Sequence, residues 1–434
     1  MDDDLTFVEA IQYDPEERLL LPFRMSGMGE PISMPDKLKA FERMAGKPPR
    51  SFDDLAERMT LIIQPLTMPR FNLPDNLPPP AARHVFVMGP TSGHHTTVYD
   101  LLSPEDQGIA LSNQMTAVGW EVARQGLLKL GADVVVAEDI YAAVGIDVMS
   151  AQQGIMLPVQ QMFPRDSGVP IAGKYIIASE RAVHDFTINA VTSIHGPRAA
   201  ASMQLQKLAE LTAGLKPRHG QSVVDAFARA GLPLQIETID AFFEGGDVIY
   251  DRRRGIIFIG DDKHTNQLYK DIGNTLPALK AEFKRVAAIE PTVIDRPFSM
   301  KGRKRHDGER FHLDCFMALL PKGEMLVDPR YTTPQSLAHL KKIYGNDLLV
   351  IGPENHPAIL GPVGRGKVPN YTANLVCVGT SIVMPTCSPR LKATLQGRGY
   401  TVLTAENFGI PPGYFYLRGG GWHCASQDQQ VLAL

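Results

Sequence analysis

The stretch Asn374–Thr404, NLVCVGTSIVMPTCSPRLKATLQGRGYTVLT, decides the fold. Two β-branched-rich runs, Asn374–Val378 and Ser381–Met384, flank Gly379-Thr380, and that pattern is a hairpin signal. Ser388-Pro389 then starts a helix, because a serine oxygen accepts from the free N–H groups and proline's fixed φ suits the first turn. Gly397 to Gly399 ends the helix, and Tyr400–Leu403 is the next strand. The unit reads strand, turn, strand, helix, strand.

Working outward, the same order recurs. Asp314–Leu320, a turn at Pro321-Lys322-Gly323, Glu324–Val327, a helix from Thr333-Pro334 to Tyr344 and Leu348–Ile351 make a second copy. A third runs from Asp247 through Val248–Tyr250, the polar turn Asp251–Arg254, Gly255–Ile259, helical residues to Ala287, and Thr292–Ile294. A fourth begins at Asp166, with strand Tyr175–Ala178, helix Pro197–Leu215 and strand Leu234–Glu237. A looser fifth has strand His84–Val87, helix Ser112–Leu130 and strand Asp133–Val136. A small sheet buries its faces only against neighbours and a helix. Five such ββαβ units therefore predict an α/β fold closed as a pseudo-fivefold propeller. An open doubly wound sheet is the alternative, but it would make hairpins scarce, and here they are plentiful.

Residues 1–82 differ, with about a dozen of the 34 prolines, ending in Asn76-Leu77-Pro78-Pro79-Pro80. Proline lacks an N–H and fixes φ, so this stretch is expected to be an N-terminal extension with a stiff linker, ahead of a domain at 83–434. Dimerisation into a homo-oligomer, occlusion of a site and partner docking are all open roles for it.

Composition closes other doors. The chain has 434 residues, 44% of them hydrophobic, enough to offset the ordering entropy of a folded core. Net charge is −3, so no overall basic field holds nucleic acid or anionic lipid. No apolar run reaches the ~20 residues that span a bilayer. The four cysteines (Cys315, Cys377, Cys387, Cys424) form no CxxC pair and too small a set for a disulfide framework. A reducing, cytoplasmic setting is the expectation.

Polar residues at strand starts are candidates for chemistry, since pockets in α/β folds collect there. Four clusters stand out: Phe163-Pro164-Arg165-Asp166-Ser167-Gly168, Phe243-Glu244-Gly245-Gly246-Asp247, Phe311-His312-Leu313-Asp314 and Arg418-Gly419-Gly420-Gly421-Trp422-His423-Cys424. Three head an inferred unit, so units around an axis would bring them into one cavity. Converging carboxylates need a cation or metal to neutralise them. A guanidinium offers five N–H donors in a fixed fork that carboxylates accept in pairs. A thiolate and a histidine beside it are the parts of a covalent mechanism.

The ordered set RD, EGGD, HLD and a glycine-flanked HC resembles the guanidino-group-modifying superfamily, which includes arginine and agmatine deiminases, dimethylarginine dimethylaminohydrolase and amidinotransferases. The resemblance spans roughly residues 84–434 and implies a five-bladed α/β propeller. It implies Cys424 as nucleophile, His312 as general acid/base, and Asp166 and Asp314 as carboxylates gripping the guanidinium. Glu244 would orient the histidine or substrate, and Asp247 would lie at the site floor. Arg165 and Arg418 would bind substrate, Arg418 one residue further from the cysteine than in arginine deiminases. No metal or organic cofactor is implied; the partner is a small guanidino substrate. Hydrolysis to a ureido product and ammonia, or onward to ornithine, is favoured; amidino transfer to an amine is the rival. A binding propeller without chemistry and a metal hydrolase are weaker readings.

The remaining candidates read as structural. Cys315, Cys377 and Cys387 lie in apolar strands or turns. His423 would point away from Cys424 in extended chain, and His312 and Asp314, two apart, would share a strand face. His94-His95 lacks metal-ligand spacing, and the basic run Lys301–His306 reads as a flap beside a pocket.

Overall fold

A computed structural model describes residues 71–75, 77–90, 119–143, 161–195, 203–261, 276–295, 312–355, 359–360, 367–368, 370–410, 412, 416–417 and 420–430. Arg418, His94-His95, the basic run and the extension up to residue 70 lie outside the described residues.

The strands are, in chain order, β1 (His84–Met88), β2 (Asp133–Val136), β3 (Val169–Ile171), β4 (Lys174–Ala178) and β5 (Gln235–Ile239). Then come β6 (Val248–Asp251), β7 (Ile256–Asp261), β8 (Thr292–Asp295), β9 (Met317–Leu319), β10 (Met325–Val327) and β11 (Leu348–Val350). Two short ribbons, β12 (Ile359–Leu360) with β13 (Lys367–Val368) and β17 (Tyr416–Leu417) with β18 (Gly420–Gly421), flank β14 (Val376–Val378), β15 (Ser381–Met384) and β16 (Thr401–Thr404). The last is β19 (Ser426–Gln430).

The result is a mixed α/β fold with five three-stranded sheets: β3-β4-β5, β6-β7-β8, β9-β10-β11, β14-β15-β16 and β19-β1-β2. In each, the central strand runs antiparallel to the first member and parallel to the third. A parallel return needs a crossover, and helices supply it. Helix Pro389–Gly397 follows β15, with Ser388 Oγ accepting from Leu391 N at 3.2 Å. Helix Pro334–Tyr344 follows β10, with Thr333 Oγ1 accepting from Ser336 N at 3.2 Å. The β14–β15 turn has Gly379 at φ +56°, where a Cβ would also press on Pro80.

Two expectations are corrected. The unit headed by β1 has its antiparallel partner at the far end of the chain, β19, with Val85 opposite Gln429 and Met88 opposite Ser426. A local hairpin search cannot find that pair. The helix expected at Pro197–Leu215 is instead Met203–Arg229, continuing through Pro217, and a further helix at Glu180–His195 precedes it. Val223, Ala226 and Phe227 are buried in an apolar cluster beyond the proline, and this packing offsets the lost hydrogen bond.

Alternate residues of each central strand enter different clusters, as the twofold period of a strand requires. Phe86 and Met88 of β1 join one cluster, Val85 and Val87 the next. Tyr175 and Ile177 of β4 share that second cluster, while Ile176 and Ala178 enter a third with Ile257 and Ile259 of β7. Phe258 meets Met325 and Val327 of β10 in a fourth; Leu326 meets Ile382 and Met384 of β15 in a fifth. Val383 of β15 returns to the first cluster, beside Phe86. The five clusters and five central strands form a closed cycle. The first strands of the five sheets line one cavity of about 640 Å³, with Val169, Val248, Met317, Val376 and Asp428 contributing one from each.

The described end of the proline-rich stretch packs on this body. Phe71, Leu73 and Leu77 lie against the first cluster, and Asn72 N donates to Asn407 O at 2.8 Å. Among the described residues no helix is long and apolar enough to cross a membrane.

Candidate active site

Each first strand is entered through a tight turn, and the chemistry-bearing residues stand on those turns. Asp166 lies in the 3₁₀ turn Pro164–Ser167, Asp247 in Gly245–Asp247, and Asp314 in Leu313–Cys315. Asn374 and Cys424 each stand two residues ahead of β14 and β19. The turns touch: a Cβ on Gly245 would run into the carbonyls of Gly168 and Arg165, and one on Gly246 would run into His312 Nδ1. The two glycines of EGGD are thus there for close approach.

One half of the site gathers around His312. Its Nε2 is 2.8 Å from Glu244 Oε2, and its Nδ1 is 3.6 Å from Asp166 Oδ1. Lys216 Nζ donates to the other Glu244 oxygen at 3.1 Å. Leu313 N donates to Asp247 Oδ1 at 3.1 Å, so Asp247 holds the His312 turn. Asp166 Oδ1 is buried and has no hydrogen-bond partner among the described residues.

The second half gathers around Cys424, which is buried. Its Sγ is 3.5 Å from Asp314 Oδ2, and Asn374 Nδ2 donates to it at 3.2 Å. His423 Nδ1 is 2.8 Å from the same Asp314 oxygen. The thiol is placed by its neighbours. Trp422, 1% exposed, is locked edge-on against Phe408, and Ser426 Oγ donates to Trp422 O at 2.8 Å, closing the turn.

Charge differs sharply between the halves. Burial, helped by the Glu244 and Asp314 carboxylates, raises the Asp166 pKa to about 7 despite His312 and Lys216. Burial also works against charged His312, but the hydrogen bond to Glu244, with the Asp247 and Asp166 charges, raises its pKa well above the imidazole value. Glu244 moves the other way: against burial, Lys216 and His312 hold its carboxyl well below the usual range. Asp314 also resists burial and sits at about 2, held by the His423 hydrogen bond, then the His423, His312 and Arg165 charges. Burial and the Arg165 charge lower His423, against the pull of the Asp314 carboxylate 2.8 Å from its Nδ1.

The structure therefore brings Asp166, Glu244, Asp247 and His312 together, and Asp314 with Cys424. His312 and Asp314 do not share a face. Residues 313–315 form a 3₁₀ turn rather than a strand, so the two side chains reach different halves. His423, set on a turn, shares the carboxylate with Cys424 instead of pointing away. Arg165 is committed to the last strand: Nε donates to His423 O at 3.0 Å and Nη2 to Asp428 Oδ1 at 2.9 Å. It places the cysteine turn on β3's own turn.

Two residues escaped the sequence reading. Asn374 had a signal, since it heads the unit Asn374–Thr404 as Asp166, Asp247 and Asp314 head theirs. Lys216 had none, being one lysine in an amphipathic helix; only the tertiary fold aims it at Glu244.

Asp314, Cys315 and Cys424 could offer a metal three ligand atoms within 4.8 Å of one another. Against a cation there, Asn374 Nδ2 is aimed at both sulfurs, at 3.8 Å for Cys315 and 3.2 Å for Cys424. An N–H donor suits a hydrogen-bonded thiolate and repels a cation.

No family model matches the chain. No curated protein sequence matches it. Solved structures do. The substrate-bound N-terminal domain of ArgZ, an arginine dihydrolase from the ornithine-ammonia cycle in Cyanobacteria, superposes at TM-score 0.48 with 15% identity, over 80% of this chain and 97% of that one. AgrE with ornithine and NAD+ gives 0.47 and 15%, over 81% of this chain and 40% of that one. A dimethylarginine dimethylaminohydrolase adduct with S-methyl-L-thiocitrulline gives 0.43 and 13%, over 80% of this chain and all of that one.

Proposed function

We propose that this chain is a thiol-dependent hydrolase of a small guanidino compound, arginine or a close relative. The observation that carries the reading is the pairing of a buried thiol, Cys424, with an ionised carboxylate and an amide donor, beside a separate carboxylate–histidine half. Asp166, with an unsatisfied oxygen, and Glu244, the more exposed carboxylate, hold the guanidinium by paired N–H···O bonds. Lys216 keeps Glu244 ionised and leaves the net charge of this half near zero until a cation arrives.

The Cys424 thiolate attacks the central guanidinium carbon, and a C–S bond forms. Protonated His312 gives its proton to one nitrogen, the C–N bond breaks and ammonia leaves, with an S-amidino enzyme behind. His312, now neutral, takes a proton from water; the hydroxide adds to the same carbon and the C–S bond breaks, releasing a ureido product. Asn374 Nδ2 and the Asp314–His423 pair orient the sulfur throughout. The closed cycle of clusters supports a pseudo-fivefold propeller as the frame, with residues 83–434 as the catalytic unit.

The test is a panel of arginine, agmatine, methylated arginines and guanidino acids, read for ammonia, ureido products and ornithine. Ammonia release from at least one member without an added amine is the expected result. Turnover only with an amine acceptor and no ammonia would replace hydrolysis by amidino transfer.

A further inference from the structure

Cys424 has a neighbour that the reaction does not use. Cys315 follows Asp314 in the chain and is 5% exposed, as buried as Cys424. The Asp314 carboxylate touches both sulfurs, Oδ1 at 3.6 Å from Cys315 Sγ and Oδ2 at 3.5 Å from Cys424 Sγ. Asn374 Nδ2 reaches both as well, and the two sulfurs are no more than 4.8 Å apart. A disulfide needs ~2.05 Å between sulfurs, so side-chain torsions must close about 2.7 Å at most.

We propose that Cys315 and Cys424 are a reversible redox pair, joined by a disulfide when a hydroperoxide reaches the site. The Cys424 sulfur attacks the distal peroxide oxygen; the O–O bond breaks, an S–O bond forms, and the alcohol leaves carrying the thiol proton. The Cys315 sulfur then attacks the Cys424 sulfur. The S–O bond breaks, and the Cys315 proton passes through Asp314 Oδ1 to the departing hydroxide, which leaves as water. Two thiols and one hydroperoxide give one disulfide, one alcohol and one water, the peroxide gaining the two electrons that the sulfurs lose.

The other two cysteines do not compete. Cys377 and Cys387 pack beside a different apolar cluster, and burial raises both thiols, Cys387 to about 11 in spite of Lys392. The disulfide removes the sulfur that the proposed hydrolysis needs, so the loss of activity rests on that reading. The cross-link does not.

The experiment treats the reduced full-length chain with hydrogen peroxide and follows ammonia release and non-reducing peptide maps together. The expected result is a Cys315–Cys424 peptide and a loss of at least about tenfold, reversed by dithiothreitol. Cys315→Ser and Cys315→Ala should form no such peptide and should stay inactive after dithiothreitol, their Cys424 carried on to the sulfinic acid. A reversible loss without the peptide, a peptide joining Cys377 or Cys387 instead, or equal recovery in the variants would overturn the proposal. The cross-link with ammonia release untouched would uphold the pair and overturn the nucleophile. If no guanidino substrate is turned over, the peptide map alone decides the pair.

Discussion

Asp166 and Asp314 each lie on a 3₁₀ turn just ahead of a first strand, and burial pushes both pKa values upward, yet Asp166 is raised to about 7 and Asp314 is lowered to about 2. The difference lies in what each touches. Asp314 has a 2.8 Å imidazole donor and its oxygens are taken up by the sulfurs and His423. Asp166 Oδ1 has a 3.6 Å approach to a histidine already engaged by Glu244, and it accepts no hydrogen bond among the described residues. Desolvation alone does not decide the charge of a buried carboxylate; the number of donors within reach does. One aspartate is satisfied by its neighbours, and the other, on the proposed function, is completed by the guanidinium of the substrate.

The comparison can be broken in four ways, in falling order of effect. Cys424→Ala removes the group that the Asp314 half exists to hold, and ammonia release should fall by at least about 10⁴-fold with the circular dichroism spectrum retained. His312→Asn strips the Asp166 half of its proton carrier; kcat should drop by about 10²–10⁴ while substrate protection against thermal unfolding persists. A loss under threefold in either variant would mean that the halves do not carry the roles assigned to them.

The third is a pH profile. Asp166 must be ionised to hold a guanidinium, and its pKa is about 7. His312 is raised well above its usual value against burial, chiefly by its hydrogen bond to Glu244, which favours the protonated ring. kcat/KM should therefore rise by about tenfold per pH unit below 7 and level off above it. Lys216 lowers the Asp166 pKa, so Lys216→Met should move that limb to higher pH. An unmoved limb would assign it to another group. Asn374→Ala is the smallest change: one lost donor to sulfur should cost about tenfold in kcat, with slower alkylation of Cys424 by iodoacetamide.

Much of this was legible in the sequence wherever information was local. The strand–turn–strand–helix–strand order is written in glycines, caps and β-branched runs, and the heads of three units carry RD, EGGD and HLD. What was not legible is contact made across the ring. Pairing of β1 with β19 joins residues more than three hundred apart. A proline inside Met203–Arg229 argues against the helix locally, and only buried Val223 and Phe227 outweigh it. Lys216 and the Cys315 sulfur acquire meaning from partners on other units. His312 and Asp314 were seen, but their division of labour follows from a turn that strand periodicity does not represent.

The seam between β19 and β1 carries a further consequence. Strand β19, which pairs with β1, begins two residues after Cys424. Placement of the Cys424 sulfur against Asp314 and Asn374 thus depends on a strand pairing between residues more than three hundred apart, whereas Asp166, Glu244 and His312 come from the middle of the sequence. A substitution that loosens this seam is therefore expected to displace the sulfur while leaving Glu244 and His312 in contact.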